Sequence, residues 1–360
     1  MDPDAVDDLR ADAGDADSDG TEHRATTGAG ASAGRVPHGS SEDPLVLDFS
    51  ANTNPVRPKG LAQVYEAALS AAASYPSEDY YEFRAAAADY VGCEATEVIP
   101  TAGGLAAIRL TLATTVEAGD DVLVPAPSFG EYAREIRLQG GTPVFIDHDE
   151  VLDSDPADYA LVVVCNPNNP TGDAYDPAEL SAFADRCRAA GTLLLVDEAF
   201  IDFTDLPSMA GTDGVVVARS LTKIFGLPGL RAGFAVATGQ YRDRLDTARL
   251  AWGLGTVAAS VGTHCLKDEA FVAETRDRVA SERAQMAERL SARFDVHPSN
   301  APFLLLNCGS SEAVDDVLKA VREYDIAVRD ARTFRGLDSH IRVAVRLPYE
   351  NDLLLDALDV

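Results

Sequence analysis

The chain has 360 residues and a mass of 38.1 kDa, long enough for a large core with a smaller unit attached. Hydrophobic residues make up 46% and charged residues 25%, an ordinary globular balance that excludes wholesale disorder. A net charge of −29, from 59 acids against 30 bases, disfavours nucleic acid or anionic lipid as a partner. Residues 1–36 contain nine acids and three arginines with almost no large apolar side chains, and are expected to be a disordered acidic arm. The acidic start MDPDAVDDLR is unlike a secretory signal, and no apolar stretch reaches the roughly 18 residues a membrane span needs. Five scattered cysteines without a CxxC pair suit reduced thiols in a cytoplasmic protein. Only four of the 30 basic residues are lysines, and this acidic, lysine-poor balance suits a halophilic cytosol, where salt screens self-repulsion.

From Leu45 onward, short apolar runs alternate with amphipathic stretches. Buried strands are expected at Val122–Val124, Val144–Asp147, Ala160–Cys165, Leu193–Asp197, Val215–Arg219 and Phe234–Ala237. Helices are expected at Glu131–Gln139, ended by Gly140-Gly141, and at Ala178–Ala190, ended by Gly191. This alternation predicts an α/β fold with a mostly parallel sheet over 58–250. Residues 251–360 read as one long helix running to Leu290, then a small α+β unit. That unit holds strands at Phe303–Asn307, Ile326–Arg329 and Ile341–Arg346, a helix at Glu312–Tyr324 and a final helix.

Five segments, four of them following expected strands, carry chemistry. Thr101-Ala102-Gly103-Gly104-Leu105 opens a helix, where backbone N–H groups can reach a phosphate, although glycines at helix starts are common. In Ala126-Pro127-Ser128-Phe129-Gly130, the Phe129 ring suits either stacking on a planar ligand or core packing. Asn166-Pro167-Asn168-Asn169-Pro170-Thr171-Gly172 is a rigid loop that presents amides. Asp197, in Val196-Asp197-Glu198-Ala199-Phe200, leaves a buried strand as a counter-ion or a solvated charge, and no histidine cluster accompanies it to favour a metal. Ser220-Leu221-Thr222-Lys223, with Arg231 eight residues on, sets an amine among two hydroxyls and a guanidinium, which suits Schiff-base chemistry beside a bound phosphate. Lys59 lies in a Pro-Lys-Gly loop, and Lys267 and Lys319 lie on solvated helix faces, so Lys223 is the amine to expect there.

In their order and spacing these segments resemble the class I/II aminotransferase group of fold-type I enzymes, over roughly residues 37–360. The resemblance implies an enzyme using pyridoxal 5′-phosphate: Lys223 bonded to the cofactor's aldehyde, Asp197 on the pyridine nitrogen, Asn169 on the 3-oxygen and Phe129 over the ring. It implies a phosphate held by Gly104, Leu105, Ser220, Thr222 and Arg231, joined by Tyr75 from the second subunit of a homodimer. It also implies that Arg342 binds a substrate anion, with Arg346, His38 and Asn54 as further substrate contacts and 37–57 closing the site. Within the group, the segment His38-Gly39 with Leu47–Pro55, and Phe200 where a tyrosine is usual, resemble the threonine-phosphate decarboxylases of cobalamin biosynthesis. The alternatives are histidinol-phosphate or other amino-acid aminotransferases, and a non-catalytic binding protein that keeps the fold. Arg346 can equally serve as an ion-pair partner.

Overall fold

A computed structural model describes residues 1, 2, 4–6, 9, 41 and 43–360. Most of the expected acidic arm lies outside the described residues, as does His38. The first described residues touch the body: the Asp2 N–H donates to the Leu138 carbonyl at 3.0 Å.

The chain enters through the short strand β1 (Leu47–Asp48), then helices α1 (Leu61–Ala71) and α2 (Tyr81–Val91). A central sheet follows, built from β2 (Val98–Thr101), β3 (Asp121–Ala126), β4 (Thr142–Asp147), β5 (Leu161–Cys165), β6 (Leu193–Asp197), β7 (Val215–Ser220) and β8 (Gly233–Ala237). Their spatial order is β2-β8-β7-β6-β5-β3-β4, and every pairing is parallel except those of β8, which opposes both neighbours. The apolar runs of β5 and β6 are buried throughout because helices cover both faces. Alternate residues divide between two cores: Val162, Val164, Leu194 and Val196 on one face, Leu161, Val163, Leu193 and Leu195 on the other.

The intervening helices are α3 (Gly104–Thr115), α4 (Glu131–Arg137), α5 (Pro177–Ala190) and α6 (Gly239–Ala248). Asp176 caps α5 by accepting from Ala178 and Glu179 N–H, and Gly191 ends it in the left-handed region, as the sequence predicts. The single long helix expected after residue 255 is two, α7 (Thr256–Leu266) and α8 (Glu269–Leu290). Asp268 separates them because its carboxylate accepts from Phe271 N–H and begins a new helix. Helix α7 packs on α1 and α2.

The C-terminal unit comprises β9 (Asp295–Val296), β10 (Phe303–Asn307), α9 (Ser311–Arg322), β11 (Ile326–Ala327), β12 (Arg329–Asp330), β13 (His340–Ala344) and α10 (Pro348–Ala357). The expected strand Ile326–Arg329 is divided at Val328 because its halves serve different sheets. β11 pairs with β1, and β12 with β13 in the antiparallel order β12-β13-β10-β9. The entering segment is thereby tied to the small unit. Strand β13 stops at Ala344, so Arg346 lies beyond the sheet. Among the described residues, no helix is long and apolar enough to cross a membrane.

Candidate active site

The carboxyl ends of β2, β3, β5, β6 and β7 bring the five motif segments to one edge of the central sheet, where open α/β sheets place their ligands. Lys223 stands three residues past the end of β7, half-buried, with Nζ 5.7 Å from the Phe200 ring centre. Burial, then the positive charges of Arg342 and Arg231, pull its amine down to about 8 against the opposing pull of Asp197. The Lys223 loop is anchored from the entering segment: its carbonyl accepts from Asn54 N–H at 3.0 Å. A Cβ on Gly226 would lie 2.4 Å from the Asn54 carbonyl oxygen, so only glycine allows this approach.

Asp197 ends β6, fully enclosed. Burial pushes its carboxyl up, and donation from Tyr132, Ala199 N–H and the Lys223 charge resist that rise. The Tyr132 hydroxyl donates to Asp197 Oδ2 at 2.5 Å. Burial and the Asp197 charge raise the Tyr132 pKa well above the ordinary phenol, so it remains a donor. The sequence reading missed Tyr132. Its signal was the spacing from Phe129, one helical turn earlier, and the two rings meet edge to face at 5.5 Å. We predict that Tyr132→Phe weakens cofactor binding about fivefold, in line with the loss of one ordinary hydrogen bond, as read by absorbance titration of the apoprotein.

At the start of α3 no side chain caps the helix, which leaves Gly104 and Leu105 N–H directed at whatever occupies the helix end. The Arg231 guanidinium lies across that end: a Cβ on Gly103 would meet Nη2 at 2.7 Å. Gly103 also takes a φ of 98°, which a side chain would strain. Ser220 packs on Gly104, and its Oγ accepts from Thr222 N–H at 3.3 Å. An uncapped helix start, two hydroxyls and a guanidinium form a cup for a phosphate, while Lys223 and Asp197 suit an aldehyde and a pyridine nitrogen. The residues therefore fit pyridoxal 5′-phosphate.

Opposite the cup, Arg342 of β13 is buried and meets neutral acceptors only. It donates to Asn169 Oδ1 and, at 2.9 Å, to the Ser50 carbonyl, and its Nε–H has no partner among the described residues. Burial, then the Arg329 charge, depresses it to about 9. Arg329, also buried, sits beside it in register across β12 and β13. Sequence reading missed Arg329 because the two-residue strand that sets this register has no periodic signal.

The remaining expected residues are placed differently. Arg346 makes a two-pronged ion pair with Glu350 at 3.1 Å, the alternative already open in the sequence. Asn54 is buried and spent on protein: Nδ2 donates to the Ile224 carbonyl and Thr275, and Oδ1 accepts from Arg278 and Val56 N–H. This makes Asn54 a clamp for the Lys223 loop and leaves it nothing for a substrate. Two residues earlier, Asn52 is buried with an unpartnered Oδ1. Tyr75 is exposed and stacks on Trp252 at 4.7 Å.

Residues 45–358 match the model of the family described as aminotransferase class I and II, and the chain belongs to that family. A histidinol-phosphate aminotransferase of Archaeoglobus fulgidus is 29% identical over 320 residues, covering 87% of this chain and 98% of the relative. The threonine-phosphate decarboxylase of Salmonella typhimurium is 31% identical over 340 residues, covering 89% and 92%. Among solved structures, L-threonine-O-3-phosphate decarboxylase from Porphyromonas gingivalis superposes with a TM-score of 0.78 at 23% identity, over 87% of this chain and 98% of that one. Family, fold and site agree on an enzyme whose cofactor is pyridoxal 5′-phosphate.

Proposed function

We propose that the protein decarboxylates L-threonine O-3-phosphate to (R)-1-aminopropan-2-yl phosphate, a step of cobalamin biosynthesis. The observation that carries this reading is the buried Arg342, held among neutral acceptors with an unpartnered Nε–H beside the Arg329 charge. Two adjacent buried guanidiniums favour a ligand group with more than one negative charge, as a phosphate has. Arg346 is engaged by Glu350, and Arg231 serves the cofactor's phosphate. A substrate phosphate on Arg342 and Arg329 therefore leaves the α-carboxylate without a guanidinium. A desolvated carboxylate without a counter-ion is destabilised, and its loss as neutral CO₂ relieves that cost.

When bound, pyridoxal phosphate supplies the sink for the electron pair released at the substrate's Cα. Asp197 would keep the pyridine nitrogen protonated, Phe129 would cover the ring and Asn169 would meet the 3-oxygen. Gly104, Leu105, Ser220, Thr222 and Arg231 would hold the phosphate. Lys223, its amine lowered to about 8, would supply the amine for the cofactor's aldehyde and the proton for the substrate's Cα. Phe200 brings no hydroxyl to the ring side, and its edge packs on Phe303 at 5.2 Å.

A second copy of the chain completes the site in this reading. Exposed Tyr65 and Tyr75, the latter packed on exposed Trp252, line a cleft of about 860 Å³ that opens on Ala102 and Arg231. Covering these side chains in a homodimer would carry Tyr75 of each subunit toward the phosphate cup of the other.

Incubation with O-phosphothreonine and no keto acid is expected to release CO₂ and aminopropanol phosphate in equal amounts. Turnover of histidinol phosphate that requires 2-oxoglutarate, without CO₂, would replace this reading by the aminotransferase.

A further inference from the structure

We propose that His148, Asp173 and His297 form a latch that positions the Asn166–Gly172 loop against the small unit and so sets the spacing between Asn169 and Arg342. Asp173 Oδ2 accepts from His148 Nε2 at 2.7 Å and from His297 Nε2 at 2.9 Å. His148 follows β4 in the large unit, and His297 follows β9 in the small one, so one carboxylate oxygen joins the two. Beside it, Asn300 N–H donates to the Gly172 carbonyl at 2.7 Å. Ser299 sits so close that a Cβ on Gly172 would lie 2.1 Å from its Oγ.

Both ends of the latch lead to the site. On the loop side, Gly172 N–H donates to the Asn168 carbonyl at 2.8 Å, and Asn168 N–H to the Asp173 carbonyl at 2.7 Å. The loop is thus closed on itself, which ties Asn169 to Asp173 through the backbone of Asn168. On the other side, His297 N–H donates to the Leu305 carbonyl at 2.9 Å, and Leu305 is the register partner of Arg342. The latch therefore couples a contact near the surface to the Arg342–Asn169 hydrogen bond. Its link to catalysis rests on the reading that Arg342 receives the substrate.

Charge makes the latch sensitive to pH. Burial works against the Asp173 carboxylate, yet hydrogen bonds from both imidazoles hold it well below the usual range. Its acceptor raises His297 against burial, with Asp295 adding to the rise. His340 is lowered by burial and by the His297 charge, against the charges of Asp295 and Asp338. Asp149 and Tyr175 lie beside His148, and the Tyr175 hydroxyl donates to the His148 carbonyl. Below the raised pKa of His297 the bond is charge-assisted. As pH rises through it, a neutral imidazole makes the weaker bond.

The test is amide hydrogen exchange of the pyridoxal-phosphate-loaded protein, followed in peptides covering 166–173 and 297–305. Asp173→Asn is expected to speed exchange in both peptides about tenfold, as expected for losing a charged hydrogen-bond partner, without change in the β5 and β6 peptides. In the unmutated protein, exchange corrected for its intrinsic pH dependence should be slower at pH 6 than at pH 8.5. His297→Gln, which keeps a donor without a titrating charge, should abolish that difference. Unchanged exchange in folded Asp173→Asn, or a pH difference that survives in His297→Gln, overturns the latch. No substrate enters the measurement, so failure to turn over O-phosphothreonine would not touch it.

Discussion

Lys223→Ala is expected to abolish turnover of any amino-acid substrate, a loss of at least about 10⁴-fold, and to remove the visible absorbance of the bound cofactor. The sequence has four lysines, and the other three lie far along the chain from the strand-end motifs. No other amine is placed to substitute. The burial that exposes this amine to Arg342 and Arg231 also brings it to about 8, so its reactivity has a defined pH dependence. The neutral, nucleophilic fraction is about one-tenth at pH 7 and about half at pH 8. Uptake of pyridoxal phosphate by the apoprotein, followed by its absorbance, should accelerate roughly fivefold between those values and level off above about pH 9. Arg231→Gln removes one of the charges that depress the amine, and should shift this midpoint upward as well as weaken phosphate binding. A midpoint near 10 in the unmutated protein would contradict the burial of the amine.

What could be read in the sequence was chemistry carried by short contiguous motifs. Lys223, Asp197, the Asn166–Gly172 loop and the Gly103-Gly104 helix start each follow an apolar run of a few residues, and the parallel direction of those strands brings their carboxyl ends to the site. What could not be read depends on where a separate element lands. Tyr132 reaches Asp197 only because α4, which follows β3, sets the Tyr132 hydroxyl against the end of β6. Arg329 faces Arg342 only because Val328 divides two short strands between two sheets. Asn54 is a hydrogen-bonding residue in the right segment, yet its two-sided clamp on Ile224, Thr275 and Arg278 spans more than 150 residues of sequence separation. The break at Asp268 had a local signal, an Asp one residue before an acidic first turn, but the apolar periodicity runs past it on both sides.

Arg342→Ala should raise the KM for the phosphorylated substrate by roughly 30-fold to 1,000-fold, the effect of removing one partner of a buried charged contact worth about 2–4 kcal/mol. Cofactor affinity should fall less than substrate affinity but not stay fixed, because Arg342 donates to Asn169 and is the first of the charges that depress Lys223. The stability change should have the opposite sign to the binding loss. Without substrate, Arg342 is a buried cation hydrogen-bonded to neutral acceptors, depressed to about 9 by burial and by its neighbour Arg329 against the charge of Asp48, so the resting protein bears a weakly compensated charge. Removing it should leave Tm unchanged or raise it, as calorimetry of the loaded enzyme would show. Arg329→Ala alone should relieve the repulsion and return Arg342 toward its ordinary pKa, and the double variant should cost less binding than the two single losses added together. Arg346→Ala is the counter-case: with its guanidinium committed to Glu350, it should lower stability and leave KM within about twofold, as expected for an ion pair that the substrate does not touch. If Arg346→Ala raises KM as much as Arg342→Ala does, the substrate's anion sits beyond the end of β13 and the arginine pair across β12 and β13 is not its site.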